Sequence, residues 1–324
     1  MMILFIGDPH IKNDNHFDID QLLTHLCILC KEHFPDRIII GGDLMHFHER
    51  IFTQALNKTL SFITTLSSFA PVEIMVGNHD MINNQQFLTS HHWMNVLSKL
   101  TNITVTDKPR RQQMGRFTYI TCPYVYPGRF IEALETIGTD WKSVDMIFAH
   151  QEFKGCKMGA MISTIGDEWE GEWPPIISGH IHDNQRVGTN IYYPGAPLQH
   201  AFGDTSTRVV CIINETGKIT DIPLNVPKKI IVKSSIDNVI TSIGKVDSTV
   251  SVKLKLSATV EEFKLFKQTK QYQDCINKGV KIQLEEIKTL SHQTTQTSFL
   301  SILDECIKKD GDVLLKKICN EILQ

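Results

Sequence analysis

Over the first two-thirds of the chain, short β-branched runs alternate with longer amphipathic stretches. MILFIG, DRIIIGG, VEIMVG, NITVTD, FTYITCP, VDMIFAH, PPIISGH, NIYYPG and VVCIIN are each a few apolar residues bounded by polar or turn-forming ones. That pattern predicts buried strands. Between the early runs, IDQLLTHLCILCKEHF, TQALNKTLSFITTLSSF, FLTSHHWMNVLSKL and GRFIEALETIG repeat their apolar residues at helical spacing. Strands that alternate with helices predict an α/β fold, a β-sandwich flanked by helices.

From about Pro223 the texture changes. PLNVPKKIIV predicts a linker running into a strand, VSVKLKLS a strand, VEEFKLFKQTKQYQDCI a helix and GVKIQLEEI a further strand. The expected organisation is therefore a core over 1–225, a small α+β unit over 226–288 and a helical segment over 289–324. In the last of these, Phe299, Ile302, Leu303, Ile307, Leu314, Leu315 and Ile318 form an apolar stripe broken near Gly311.

Composition narrows the class without naming a function. With 324 residues, 41% of them hydrophobic and 21% charged, the chain can bury a full core. No apolar run reaches the roughly 18 residues of a membrane span. MMILFIGDPH lacks a basic leader and a cleavage site, so it reads as a first strand, and an intracellular protein is expected. Cys27 and Cys30 have no second CxxC partner and read as reduced thiols on a helix. A net charge of -3 disfavours a protein that coats nucleic acid by charge alone. An enzyme that meets phosphodiesters through metal ions is still allowed.

Candidate chemistry sits directly after the apolar runs. GDPH (Asp8, His10), GGD (Asp43), GNHD (Asn78, His79, Asp80), AHQ (His150) and GHIH (His180, His182) each place ligand-type side chains just beyond a strand. Strand carboxyl ends converge on one crevice in open α/β sheets. Glycine there allows a sharp turn and close approach. Carboxylate, imidazole and amide oxygen, with no cysteine, suit manganese, iron or zinc and not a thiolate zinc site. One carboxylate can bridge two ions about 3.5–4 Å apart. Asp43, alone between the other sets, is the expected bridge. Taken singly, each motif is more often a plain turn or a satisfied histidine; five in order are not.

The series DxH, GD, GNHD, H and GHxH resembles the calcineurin-like metallophosphoesterase superfamily over about residues 1 to 210. The resemblance implies one ion held by Asp8, His10, Asp43 and His182 and another by Asp43, Asn78, His150 and His180. It also implies that His79 protonates the leaving oxygen, so that His79→Ala keeps its metal and loses catalysis. Three segments are similar to the Mre11/SbcD-type DNA nucleases and their phage relatives. GGDLMHFHER puts His46 where many relatives have aspartate, and YYPGAPLQHAFGD matches a late core segment. HQEFKGCKMGAMISTIGD is similar to a glycine-rich hairpin beside the active site.

That closer resemblance implies a two-metal exo/endonuclease of DNA repair or recombination, with His46 acting alongside His79 and manganese as the expected ion. The small α+β unit becomes a reduced capping domain, and a Rad50/SbcC-like ATPase and a second copy of the chain become expected partners. Lys253, Lys255, Lys264, Lys267, Lys270, Lys278, Lys281 and the patch KPRRQQMGR, read as a turn between strands, are either phosphate contacts or solvated faces. The rival readings are a metallophosphatase or cyclic-nucleotide phosphodiesterase acting on small phosphoesters, and a non-catalytic scaffold. The scaffold is disfavoured because every ligand position is kept.

Overall fold

The computed structural model describes residues 1–244 and 250–287. Strands β1 (Met2–Ile6), β2 (Arg37–Ile40), β3 (Val72–Met75) and β4 (Ile103–Thr106) run parallel to one another in one sheet. Helices α1 (His16–His33) and α2 (Thr53–Ser67) supply its first two crossovers. A second sheet begins with β5 (Arg110–Met114), β6 (Phe117–Cys122) and β7 (Met146–His150), with α3 (Phe130–Glu135) before β7. A hairpin, β8 (Lys157–Met158) and β9 (Met161–Ile162), precedes β10 (Ile176–Gly179), β11 (Gln185–Val187) and β12 (Ile191–Tyr193). The chain then returns to the first sheet through β13 (Val209–Asn214) and β14 (Ile219–Pro223). The two six-stranded orders are β14-β13-β1-β2-β3-β4 and β11-β12-β10-β7-β6-β5.

Side-chain alternation explains why both sheets are buried. In β1, Ile3 and Phe5 face the other sheet, where they cluster with Ile39, Met75, Tyr119, Phe148 and Ile177. The rings of Phe5 and Phe148 stack at 5.8 Å. Leu4 and Ile6 face the opposite way and pack with Leu22, Leu26, Phe62 and Ile63 of the helices. Strands covered on both sides lose polar alternation and read as continuous apolar runs, as these do. Each fully buried large side chain contributes about 1.5–3 kcal/mol. Glu73 is the exception inside the sandwich. Its carboxylate accepts from Thr106 at 2.8 Å, Thr121 at 2.7 Å, Gln112 at 2.6 Å and Arg37 at 3.2 Å, which satisfies a buried charge.

Several expectations are corrected. FLTSHHWMNVLSKL is no α-helix: only Trp93–Lys99 coils, as a 3-10 helix. Leu88 has φ 45°, and the Trp93 indole donates to Asp80 at 3.0 Å, so tertiary contacts override the apolar spacing. KPRRQQMGR is mainly an edge strand and not a turn, because Arg110–Met114 pair antiparallel with β6. Within it Arg111 donates to Asp140 and, at 3.0 Å, to Ser143. GRFIEALETIG yields only the short α3.

One compact unit spans residues 1–231 and takes in 250–253, and a second holds the described residues 232–244 and 254–287. Strands β15 (Lys228–Ser235), β16 (Val250–Ala258) and β17 (Lys281–Glu286) form a three-stranded sheet in that order. A short helix α4 (Val239–Ile243) follows β15. The single helix expected over VEEFKLFKQTKQYQDCI is two, α5 (Val260–Phe266) and α6 (Lys270–Asn277). Thr269 separates them: its hydroxyl accepts from the Tyr272 amide at 3.2 Å and starts α6 afresh. Lys264, Lys267, Lys270, Lys278 and Lys281 are exposed, and Lys253 and Lys255 are half-buried. The expected helical segment 289–324 lies outside the described residues. Among the described residues, no helix is long and apolar enough to cross a membrane. Cys27 and Cys30 sit on α1 as free thiols.

Candidate metal centre

Every predicted ligand sits at the carboxyl end of a parallel strand. Asp8 and His10 follow β1, Asp43 follows β2, and Asn78 and His79 follow β3. His150 ends β7, and His180 and His182 follow the parallel neighbour β10. The two sheets thus deliver their ends to one place, as strand-end crevices do.

The sharp turns, however, fall on the ligands themselves, and of the glycines before them only Gly42 has a positive φ, 114°. His10, Asp43 and His180 have φ of 45°, 47° and 77°. Non-glycine residues in this left-handed region cost of order 1–3 kcal/mol each, and persist only where their surroundings hold them. Here the His10 amide donates to the Asp43 carbonyl at 3.0 Å, and the His180 amide donates to Asp8 Oδ2 at 2.7 Å. The glycines permit close approach instead. A Cβ on Gly179 would overlap Asp8 Oδ1, lie 2.6 Å from the Gly41 carbonyl oxygen and lie 2.9 Å from His150 Nδ1. Gly179→Ala is therefore expected to destabilise the fold by about 1–3 kcal/mol and to weaken metal uptake. Urea unfolding measures the first and a metal titration the second; wild-type values in both would show that the strand end yields freely.

Asp43 stands between two groups of side chains. Its Oδ2 lies 3.5 Å from His10 Nε2 and 3.4 Å from His150 Nε2. On one side, His10 Nε2 is 3.0 Å from His182 Nε2, and Asp8, His10 and Asp43 converge as a buried trio. On the other, Asn78 Oδ1 lies 3.0 Å from His150 Nε2 and 2.9 Å from His180 Nδ1. Asp43, His150 and His180 form a second convergent trio.

Carbonyl partners decide which ring nitrogens are free. His150 Nδ1 donates to the Gly41 carbonyl at 2.7 Å, which directs Nε2 at Asp43 and Asn78. His180 Nε2 faces Glu152 Oε2 at 3.9 Å, which leaves Nδ1 for the centre. Asp8 Oδ1 is buried with no hydrogen-bond partner among the described residues. An orphaned carboxylate oxygen, paired lone-pair atoms and a shared aspartate are what a site for two divalent cations requires. The residues fit such ions.

Protonation follows from the same crowding. Burial, reinforced by the Asp43 charge and opposed by His150, pushes the Asp8 carboxyl up to about 8. Burial disfavours the Asp43 anion too, but His150, His10 and His79 outweigh it and hold Asp43 well below the carboxylate range. Burial pulls His150 down, yet Asp43 and Asp8 prevail and raise it to about 9. Burial keeps His10 well below the ordinary imidazole range and lowers His182 to about 4. These two rings are therefore neutral donors of lone pairs.

His79 lines a cavity of about 480 Å³ together with Asp43, Asn78, His180, His182 and Lys157 of the β8–β9 hairpin. The backbone amide of His79 donates to Asp43 Oδ1 at 2.8 Å. Its Nδ1 donates to the His46 carbonyl at 2.5 Å, so Nε2 is the atom left for a substrate. Residue 46 thus orients His79 through its backbone. The His46 ring stacks on His79 at 5.6 Å, and its Nδ1 is 3.3 Å from His10 Nδ1.

Three residues, His48, Glu152 and His200, escape the sequence reading, and a fourth, Asp80, has no role in it. His48 stacks on His79 at 4.3 Å, and its only signal is the HFH triplet it shares with His46. Glu152 orients His180 and lies two residues beyond His150. Asp80, noted in GNHD without a role, binds the amides of Gly77 at 3.0 Å and Leu44 at 3.4 Å, and so ties two ligand loops together. His200 reaches the centre from YYPGAPLQHAFGD, with its ring 4.6 Å from that of His10.

The calcineurin-like phosphoesterase family model matches residues 1–184. A protein carrying the name phosphoesterase 078R, of Invertebrate iridescent virus 3, is 37% identical over 99% of this chain and 96% of its own. Another carrying the name phosphoesterase 244L, of Invertebrate iridescent virus 6, is 44% identical over 83% of this chain and 98% of its own. The family match covers all five strand-end motifs up to His182, and the geometry gathers them in one place. The chain belongs to the calcineurin-like phosphoesterase family.

Proposed function

We propose that this chain hydrolyses phosphoesters at a two-metal centre. Asp8, His10, Asp43 and His182 hold one ion, and Asp43, Asn78, His150 and His180 hold the other. The observation that carries this reading is Asp43 Oδ2, one carboxylate oxygen within 3.5 Å of His10 and 3.4 Å of His150. Divalent ions bound there supply Lewis acidity and bring a water nucleophile's pKa towards neutrality. The protein residues do the rest. Asp43 fixes the His79 amide through Oδ1, and the His46 carbonyl fixes its Nδ1–H. His79 Nε2 then delivers a proton to the leaving oxygen, a role contributing about 10²–10⁴-fold. Lys157, on the cavity wall, offers a cation to a phosphoryl oxygen.

The substrate this geometry supports best is a small phosphoester. A cavity of about 480 Å³ lies in the range of small-ligand sites. DNA hydrolysis is the second reading, favoured by His46 against His79 and by the YYPGAPLQHAFGD segment beside the centre. An ATPase partner, a homodimer and manganese as the working ion belong to that second reading.

The test is the full chain stripped with a chelator and then given manganese or magnesium. Stripping is expected to lower turnover of a nitrophenyl phosphodiester by more than about 10²-fold, with recovery on adding metal. Persisting activity after complete metal removal would refute the two-metal reading. Labelled single- and double-stranded DNA run alongside decide the substrate. Fast cleavage of the ester with uncut DNA supports the first reading, and efficient cutting of DNA the second.

A further inference from the structure

We propose that His200 is a third imidazole for the ion at His10 and His182, and that it biases this half-site towards zinc or iron(II) over manganese or magnesium. The inference rests on the two-metal reading above and adds a residue and a metal preference to it.

The ligand-capable atoms of His10, His182 and His200 all lie within 4.8 Å of one another. The His200 ring is 4.6 Å from that of His10 and 4.8 Å from that of His182. Its Nε2 is buried and has no hydrogen-bond partner among the described residues. Buried polar atoms are nearly always paired, so an imidazole nitrogen left open beside two others calls for a ligand.

The loop that carries His200 is built to hold it there. Asp204 Oδ2 accepts from the His200 amide at 2.7 Å and from the Ala201 amide at 2.9 Å. Gln199 donates to the Asp204 carbonyl at 2.9 Å and accepts from the Lys229 amide at 2.7 Å. Arg208 donates to the His182 carbonyl at 2.7 Å, which fixes the neighbouring ligand segment as well. A residue whose backbone is fixed on both sides, with its ring Nε2 buried and open, is positioned as a ligand is positioned.

The consequence is chemical. Without His200 this half-site offers two carboxylates and two imidazoles; with it, nitrogen donors are in the majority. Imidazole suits zinc and iron, whereas carboxylate and water suit magnesium and manganese. His200 therefore shifts selectivity at one half-site and leaves the other, built on Asn78, His150 and His180, unchanged.

The experiment compares the stripped full chain with His200→Gln and His200→Ala, the first keeping a polar side chain in the same space. Zinc and manganese are titrated in competition against a chelating indicator, and the visible spectrum of the cobalt(II)-loaded protein is recorded. We expect two ions in all three proteins, and a zinc-over-manganese preference at one site that falls about 10–100-fold in both variants. The cobalt bands are expected to shift with the loss of a nitrogen ligand. Two ions with unchanged preference and an unchanged cobalt spectrum would overturn the role of His200 and leave the two-metal centre intact. A wild-type chain that takes up no divalent ion would instead overturn the centre, and this inference with it.

Discussion

Asp43→Asn is expected to weaken both halves of the metal centre at once. The substitution keeps the shape of the side chain and an oxygen that can accept the His79 amide, now 2.8 Å from Oδ1. It removes the charge that faces His10 and His150 through one oxygen. Residues that merely support a metal ligand typically contribute 10–100-fold to affinity; a shared ligand should exceed about 100-fold at each ion. Elemental analysis after gel filtration reads the loss, and turnover should fall with it. Circular dichroism distinguishes this from unfolding. Two tightly bound ions in the variant would show that Asp43 is not shared, and loss of a single ion would assign it to one half-site.

His79→Ala is expected to separate chemistry from metal binding. His79 lines the cavity, and its Nδ1 is committed to the His46 carbonyl, so its free nitrogen serves the substrate. Metal content should stay at two ions while turnover of an alkyl phosphoester drops about 10²–10⁴-fold. A nitrophenolate leaves without needing a proton, so the corresponding nitrophenyl ester should lose far less. This contrast is specific to a proton donor. An equal loss for both leaving groups would mean that His79 stabilises phosphoryl charge instead, and near-normal turnover of both would remove it from the mechanism.

Legibility followed burial. Strands such as MILFIG and DRIIIGG were readable because they are covered on both faces, which forces continuous apolar runs. The stretch FLTSHHWMNVLSKL misled because its apolar spacing suits a helix, while the indole of Trp93 is drawn to Asp80, a residue near in space and 13 positions away in sequence. The edge strand Arg110–Met114 was hidden for the opposite reason. It is mostly polar, and its strand character comes from pairing with β6. Thr269, by contrast, carried a readable cap signal inside an apparently continuous helix.

The ligand types were legible because metal chemistry restricts them to a few side chains placed after strands. Asp8, His10, Asp43, Asn78, His150, His180 and His182 were all named from motif and order, and the structure brings them together. His48, Glu152 and His200 were not, since a lone histidine or glutamate carries no local mark of where it points. Sequence by itself determined the sandwich of apolar strands and the set of side chains fit for two cations, because burial and coordination chemistry both act on residue type. Only the tertiary structure decided that Asp43 faces two imidazoles through one oxygen and that the turns fall on His10, Asp43 and His180. It alone brought His200 into the centre, because convergence depends on how the sheets register across more than a hundred residues.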